Sequence, residues 1–262
     1  MTALLETRNL EKSFGAVTAA ADINVKISVG EIVGVIGSNG AGKTTFINMV
    51  TGYLKPTSGE ILLDGKNIGG MMPRDVVRSG VGRSFQVAQL FSELTVTDNM
   101  LIALGISRKR TLSLWRPIHT AEDIKTVHEI LAEYQIDELK DAIAATLPQG
   151  AKKLLDIAMA MISQPRLLLL DEPTSGVATD DKFQLMDTVM GALDKENSAT
   201  LFIEHDMDVI QRYADRVLAF YDGRILADGP TDYVLSQPKV QELVVGHHVP
   251  QIIKAGEDKS SA

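Results

Sequence analysis

The chain has 262 residues, 45% of them hydrophobic and 23% charged, which is typical of a globular protein with a substantial core. Its net charge of −8 argues against nucleic acid as the main partner, and the absence of cysteine excludes disulfides and thiolate metal sites. Without a secretory signal or an apolar stretch of membrane-spanning length, we expect a cytosolic chain, and any role at a membrane would need a partner.

The first quarter of the chain predicts short strands around one glycine-rich loop. Strands are expected at 4–10 and 23–27, with a turn at Ser13-Phe14-Gly15. A buried strand at 31–36 leads into the loop, and a helix follows from Thr45. The loop residues are Gly37, Ser38, Asn39, Gly40, Ala41, Gly42, Lys43, Thr44 and Thr45, which fit the pattern G-x-x-x-x-G-K-S/T.

This pattern between a strand and a helix indicates a phosphate-binding loop, or P-loop. Glycines let successive backbone N–H groups turn towards a polyphosphate, and the helix N-terminus adds a positive dipole end. Lys43 can reach the β- and γ-phosphates, and the Thr44 hydroxyl can bind Mg²⁺. The alternative is a chance match in a loop that contains glycine.

Further along, strands and helices alternate. We expect a turn at 56–59, a strand followed by a tight turn within 60–66, and a helical region at about 97–147. Further helices are expected at 153–162, 183–193 and 209–213, and further strands at 167–170, 200–203, 217–220 and 224–226. This alternation predicts an α/β fold with a largely parallel sheet covered by helices. We assign 1–246 to a single domain and 247–262 to a tail that is expected to be poorly ordered.

Two strands end in side chains that suit hydrolytic chemistry. The strand at 167–170 is followed by Asp171, which could hold Mg²⁺, and by Glu172, which could accept a proton from an attacking water. The strand at 200–203 is followed by His205, which could stabilise charge on a γ-phosphate. The simpler alternatives are a solvated strand end for the two acids and a surface or structural role for the histidine.

The order of these motifs resembles that of the ATP-binding cassette (ABC) ATPases, from about residue 4 to residue 246. Gln86 matches the glutamine of the family's Q-loop, which senses Mg²⁺ and the γ-phosphate. Phe14 matches the aromatic residue on which adenine stacks, although a core phenylalanine is the alternative. Asp171, Glu172 and His205 match the Walker B acid, the general base and the switch histidine.

The resemblance implies a P-loop NTPase core of ABC type, with an antiparallel β subdomain and an inserted helical subdomain at about 97–147. It implies ATP and Mg²⁺ as cofactors, with Thr44, Gln86 and Asp171 at the metal and Lys43, Gln86, Glu172 and His205 in catalysis. Among the branches of the family, the segments at 82–86 and 90–96 are most similar to ATPases of branched-chain (hydrophobic) amino acid importers. Importers of urea, amides or aromatic acids look nearly the same.

For an importer ATPase, the resemblance implies a peripheral position at the cytoplasmic face of the inner membrane. The partners would be transmembrane permease subunits, a second cassette and, indirectly, a periplasmic substrate-binding protein. Leu90 and Phe91 follow Gln86 and are the candidates for permease contact. The basic segment from Arg108 to Arg116, with Trp115, could touch a membrane or the permease, or it could be a mobile loop.

The chain departs from the family where ATP would be shared between two subunits. Each ATP in the family lies between one P-loop and the partner's signature segment, usually Leu-Ser-Gly-Gly-Gln. Here that position holds Leu147-Pro148-Gln149-Gly150-Ala151, and Ala178 stands where the D-loop usually has Asp or Asn. Lys152 and Lys153 could replace the lost charge, although we interpret them as a solvated pair. Since the altered residues all face the partner's ATP, we expect an asymmetric heterodimer.

Two other functions stay open. One is a soluble, non-transport ABC ATPase, such as an iron–sulfur assembly cassette, which has a similar length. The other is a different P-loop enzyme such as a nucleotide kinase, which would not explain Gln86, His205 and the helical region together.

Overall fold

The computed structural model describes residues 3–108, 119–196 and 198–246. The segment 109–118, with Trp115 and most of the basic run, and the predicted tail 247–262 lie outside the described residues. The strands are β1 Leu5–Phe14, β2 Val17–Ile27, β3 Ile32–Gly37, β4 Ser58–Leu63, β5 Lys66–Asn67, β6 Val81–Arg83, β7 Leu167–Asp171, β8 Ala199–Ile203, β9 Arg216–Tyr221 and β10 Arg224–Pro230. The main helices are α1 Lys43–Val50, α2 Pro73–Arg78, α3 Val96–Ser107, α4 Ala121–Glu133, α5 Gln149–Met161, α6 Lys182–Glu196, α7 Met207–Tyr213 and α8 Thr231–Leu235.

An antiparallel sheet in the order β2-β1-β4-β5 forms the predicted β subdomain. Strands β1 and β2 are longer than predicted and pair as far as Phe14 and Val17. Ser13 and Phe14 are therefore strand residues, and the predicted turn at 13–15 is wrong in its position. The reversal occurs at Gly15, whose φ of 59° lies in the left-handed region that glycine tolerates.

The second sheet has the order β10-β9-β3-β8-β7-β6. Strands β9, β3, β8, β7 and β6 run parallel, and β10 pairs with β9 in the antiparallel sense. The prediction of a largely parallel sheet is confirmed. Strand β6 and helix α2 were not predicted, because segments of three and six residues are too short to show a clear hydrophobic period.

Helices cover both faces of the parallel sheet. In β7, Leu168 and Leu170 belong to one core cluster, whereas Leu167 and Leu169 belong to the other. The first cluster includes side chains of α3, α4, α5 and α6, and the second includes α1 and the antiparallel sheet. A strand buried on both faces needs an unbroken apolar run, which explains the four consecutive leucines.

The predicted helical subdomain is present in α3 and α4 and in short 3-10 turns at Asp137–Leu139 and Ala144–Thr146. Thr95 and Thr120 begin α3 and α4 with capping boxes, in which each threonine side chain accepts a backbone N–H and an aspartate three residues later reciprocates. No helix within the described ranges is long and apolar enough to cross a bilayer.

Candidate functional site

The predicted site residues meet at one edge of the parallel sheet. Strands β3, β8 and β7 are neighbours and run in the same direction, so their C-terminal ends share an edge. The P-loop follows β3, Glu172 follows β7, and His205 comes two residues after the end of β8. Three segments that are distant in sequence thus bring their polar residues to one place.

The P-loop has the backbone that its glycines predict. Gly40 and Gly42 have φ values of 79° and 101°, which non-glycine residues rarely adopt. A Cβ at Gly42 would lie 2.6 Å from the carbonyl oxygen of Ala19, so the close approach of β2 also requires glycine. Helix α1 begins directly afterwards at Lys43 and directs its free N–H groups towards the loop.

Lys43 is held inside the P-loop. It is only 6% exposed, and its ammonium donates to the carbonyl oxygens of Gly37 (2.6 Å) and Ser38 (3.0 Å). Burial lowers the pKa of Lys43, while the charges of Glu172 and Asp171 act in the opposite direction. A desolvated cation fixed in a ring of backbone groups suits the binding of a phosphate anion.

Glu172 lies between two of the other predicted catalytic side chains, Gln86 and His205. Gln86 Nε2 donates to Glu172 Oε2 at 2.8 Å, and His205 Nε2 lies 3.2 Å from Glu172 Oε1. Glu172 also has a left-handed backbone, with φ of 50°, which is uncommon for a residue other than glycine. This arrangement joins the ends of β7 and β8 to the Q-loop through one carboxylate.

Asp171, the predicted metal ligand, is 6% exposed and forms an ion pair that the sequence did not reveal. Arg83 donates to Asp171 Oδ2 at 3.0 Å, and its other terminal nitrogen contacts Asn48 (2.7 Å) and Thr51 (3.0 Å). The ring of Phe85 lies 4.8 Å from the Arg83 guanidinium carbon. Arg83 therefore fixes the position of the Asp171 carboxylate.

The interpretation of Lys152 and Lys153 as a solvated pair is wrong for Lys153. Its side chain is 1% exposed, and its ammonium donates to the carbonyl oxygens of Gln86 (2.6 Å) and Glu172 (3.0 Å). Asp156, on the next turn of α5, accepts from backbone N–H groups of the Q-loop. The sequence signal for this contact was the spacing of Lys153 and Asp156, which are three residues apart and thus place two opposite charges on one face of the helix.

Glu204 is a second residue that sequence analysis missed. This buried carboxylate accepts from the Thr174 N–H (2.9 Å) and hydroxyl (2.6 Å), and its other oxygen accepts from the His205 N–H (3.1 Å). It thus links the start of the D-loop to the backbone of His205. Its position, directly before His205, was the only signal in the sequence.

Three other predicted contact residues lie at or near the surface. Phe14 is 52% exposed, which rules out the alternative of a core phenylalanine, and Lys12 lies over its ring. Phe91 is 50% exposed, whereas Leu90 is half-buried against the helical core cluster. The ring of Phe14 and the side chain of Phe91 are thus available for contact with other molecules.

The atypical signature segment is folded as its proline predicts. Pro148 has φ of −58° and directly precedes α5, which begins at Gln149. Pro148 and Ala178 are exposed, and Ala151 is half-buried against the core. A Cβ on Gly176 would lie 3.3 Å from the Gln149 side chain, so the D-loop packs beside the signature segment of the same chain.

These residues fit ATP with Mg²⁺. The P-loop supplies N–H groups, a buried cation and an exposed Thr44 hydroxyl, and the sheet edge adds carboxylate and amide oxygens of the kind that Mg²⁺ prefers. The Glu172 carboxylate and the His205 imidazole are in contact at the same sheet edge as the P-loop.

Comparison with known protein families gives a direct match. Residues 20–175 match the ABC transporter family model. The chain is 34% identical over 246 residues to a probable branched-chain amino acid transport ATP-binding protein LivG of Archaeoglobus fulgidus, covering 93% of this chain and 95% of that one. It is 32% identical to the branched-chain amino acid transport ATP-binding protein BraF of Pseudomonas aeruginosa, covering 93% and 98%, and 33% identical to LivG of Escherichia coli K12, also covering 93% and 98%.

Solved structures agree with this match. The ADP conformation of MJ1267, an ATP-binding cassette of an ABC transporter, superposes with a TM-score of 0.81 at 30% identity over 92% of this chain and 97% of that one. CbiO1 of Clostridium perfringens, part of an ABC transporter complex, gives 0.78 at 27% identity over 92% and 93%. The predicted fold class is therefore confirmed, and the chain belongs to the ABC transporter family as an ATP-binding ATPase subunit.

Proposed function

We propose that this chain hydrolyses ATP with Mg²⁺ to drive the import of a branched-chain or other hydrophobic amino acid. The observation that carries the hydrolytic part is the position of Glu172 between Gln86 and His205. The cargo rests on the similarity to branched-chain amino acid transport proteins over 93% of the chain. Urea, amides and aromatic acids are alternative cargoes, because the cargo does not contact an ATP-binding subunit.

The nucleotide would be held mainly by the P-loop. The Phe14 ring would stack on adenine, backbone N–H groups of residues 37–45 would surround the phosphates, and Lys43 would contact the β- and γ-phosphates. Thr44, Gln86 and Asp171 would hold Mg²⁺, which would neutralise phosphate charge when bound.

The hydrolytic step would depend on the side chains at the sheet edge. The Glu172 carboxylate would accept a proton from the attacking water, and His205 would donate a hydrogen bond to a γ-phosphate oxygen as charge develops there. Gln86 holds the Glu172 carboxylate at 2.8 Å and would orient it towards the water.

We further infer an asymmetric pair of cassettes. The residues that would act on this chain's own ATP have the expected chemistry, whereas Pro148, Ala151 and Ala178 lack the polar groups expected opposite the partner's ATP. A partner with an ordinary signature segment would complete a competent site at this P-loop. This chain's signature segment would complete a weaker one, so we expect low ATPase activity from the chain alone.

The transport role implies a peripheral position on the cytoplasmic face of the inner membrane. Transmembrane permease subunits would dock near Leu90 and Phe91, and a periplasmic substrate-binding protein would deliver the cargo from the other side. The similarity to transport subunits across nearly the whole chain favours this role over that of a non-transport cassette.

Reconstitution with membrane partners tests the proposal. The chain is co-expressed with candidate permease subunits and a candidate second cassette, and the complex is purified and placed in liposomes. We expect co-purification and ATP turnover that rises when a leucine-loaded binding protein is added. Co-purification with stimulation only by a urea- or amide-loaded binding protein would refute the amino acid cargo, and failure of the chain to associate with the permease subunits would refute the transport role.

A further inference from the structure

The ammonium of Lys153 is buried beside the proposed catalytic residues and donates to backbone carbonyl oxygens. The side chain is 1% exposed, and its Nζ lies 2.6 Å from the carbonyl oxygen of Gln86, 3.0 Å from that of Glu172 and 3.4 Å from that of Phe85. An ammonium has three N–H donors, so these carbonyls account for all of them. Lys153 therefore has no donor left for a phosphate.

A buried ammonium is costly unless its surroundings compensate for lost hydration. Burial lowers the pKa of Lys153, and four carboxylates act in the opposite direction: Asp156, Glu204, Glu172 and Asp171. The three carbonyl oxygens and these carboxylates offset part of the cost of burying the ammonium. An apolar side chain of similar length would leave these buried carbonyl oxygens without the Lys153 donor.

Lys153 donates to the backbone of Glu172, and the conformation of that backbone sets the direction of the Glu172 side chain. The left-handed backbone of Glu172 is unfavourable for a residue with a Cβ and needs support from its neighbours. The Glu172 carbonyl oxygen accepts from Lys153 and from the Ser175 N–H (3.1 Å), and the Glu172 N–H donates to Ile203 (3.0 Å). These three bonds fix the peptide groups on both sides of the catalytic carboxylate.

Asp156 completes the attachment of the Q-loop to the same helix. Its two oxygens accept from the Phe85 N–H (2.9 Å) and the Gln89 N–H (3.0 Å), while Lys153 donates to carbonyls of the same loop. Helix α5 thus binds carbonyl oxygens of the Q-loop through Lys153 and N–H groups of the Q-loop through Asp156, one turn further along the helix. Gln86 extends from this held segment to the Glu172 carboxylate.

We propose that Lys153 is a positioning residue for hydrolysis, which holds the backbones of Glu172 and Gln86 so that the carboxylate faces the attacking water. The inference rests on the proposed role of Glu172 as general base. Because its ammonium is occupied by carbonyl oxygens, Lys153 acts on the rate of the chemical step and leaves nucleotide affinity nearly unchanged. A displacement of a catalytic group by about 1 Å lowers a rate by about 10²-fold, which sets the size of the effect.

Single-turnover hydrolysis of radiolabelled ATP, with the full-length chain in excess, tests this role at low rates. We expect Lys153→Met to lower the rate by about 10²-fold, with the Kd for ATP changed by less than about threefold. Lys153→Arg, which restores a cation with several donors, should recover most of the rate. Lys152→Met is the matched control, since the Lys152 ammonium, one residue earlier on α5, donates to the carbonyl oxygen of Ala145 instead.

Each outcome decides the question. The inference is overturned if Lys153→Met hydrolyses ATP at nearly the rate of the unmodified chain. It is also overturned if Lys153→Met loses hydrolysis rate and ATP affinity in parallel and Lys153→Arg restores neither. If Lys153→Met fails to fold, Lys153→Gln replaces it, and equal rates in the Gln and Arg variants overturn the inference. Glu172→Gln is measured alongside. If this variant keeps full turnover, the proposed function is refuted. If it loses turnover while Lys153→Met keeps a normal rate, only the role of Lys153 is refuted.

Discussion

His205 Nε2 lies 3.2 Å from Glu172 Oε1, so that the proposed switch histidine and the proposed general base are in direct contact. The second oxygen of the same carboxylate accepts from Gln86 at 2.8 Å. Both partners come from loops that follow other strands of the sheet, so the position of the carboxylate depends on three separate segments. Each partner is therefore expected to affect turnover more strongly than nucleotide binding.

Replacement of His205 by alanine tests its share in catalysis. We expect His205→Ala to lower ATP turnover by about 10²–10³-fold, because it removes a donor to the developing charge on the γ-phosphate. The Kd for ATP, measured by calorimetry, should change little, since the P-loop remains intact. His128→Ala, in α4 of the helical subdomain, is the control and should keep full turnover. A turnover equal to that of the control would contradict the role of His205.

Replacement of Arg83 tests the buried ion pair. The side chains of Arg83 and Asp171 are 9% and 8% exposed, so Arg83→Leu leaves a buried carboxylate without its cation. We expect the free energy of unfolding, measured in urea, to fall by about 3–5 kcal/mol. The matched control is Arg78→Leu. The partner of Arg78, Asp75, is exposed, so this substitution should lower the free energy of unfolding by less than about 1 kcal/mol. Equal losses in both variants would show that the Arg83 pair has no special role.

Replacement of Phe91 tests the surface for the permease. Its ring is 50% exposed, and a charge in an apolar interface would be desolvated without a partner. In the reconstituted complex, we expect Phe91→Glu to abolish cargo uptake while the Kd for ATP is retained. Val29→Glu, at an equally exposed apolar residue, should leave uptake unchanged. Normal uptake in Phe91→Glu would exclude this surface as the docking site.

The local motifs were predictable because each is written in consecutive residues. Each pattern predicts the backbone conformation of its own segment, as in the glycines of the P-loop, the leucine run before Asp171 and the strand before His205. Their meeting at one sheet edge followed from the parallel order of the strands. Family resemblance supplied Gln86 and Phe14, whose roles no local pattern indicates.

The supporting contacts were not predictable, because burial is decided by tertiary packing. Lys152 and Lys153 are adjacent and chemically identical, yet one donates to Ala145 on the surface and the other is 1% exposed among catalytic residues. Arg83 ends a strand of three residues, which is too short to reveal a face. Charged residues are usually exposed, so the sequence favoured the wrong interpretation of Lys153.

The asymmetry of the cassette pair is tested by changing one subunit at a time. In the complete complex, the catalytic glutamate is replaced by glutamine either in this chain, as Glu172→Gln, or in the partner cassette. We expect the first change to remove most of the turnover and the second to remove little, since in the proposed pair the partner's signature segment would complete the site at this P-loop. Equal losses would contradict an unequal pair.

Turnover and ATP binding of Glu172→Gln, compared in the same purified complex, test the central role of this site. Glutamine keeps the size of the side chain but cannot accept the proton of the attacking water, and a general base contributes about 10²–10⁴-fold to a rate. We predict that the variant binds ATP as tightly as the unmodified chain and hydrolyses it slower by that factor. Undiminished turnover would contradict the assignment of Glu172 as the general base.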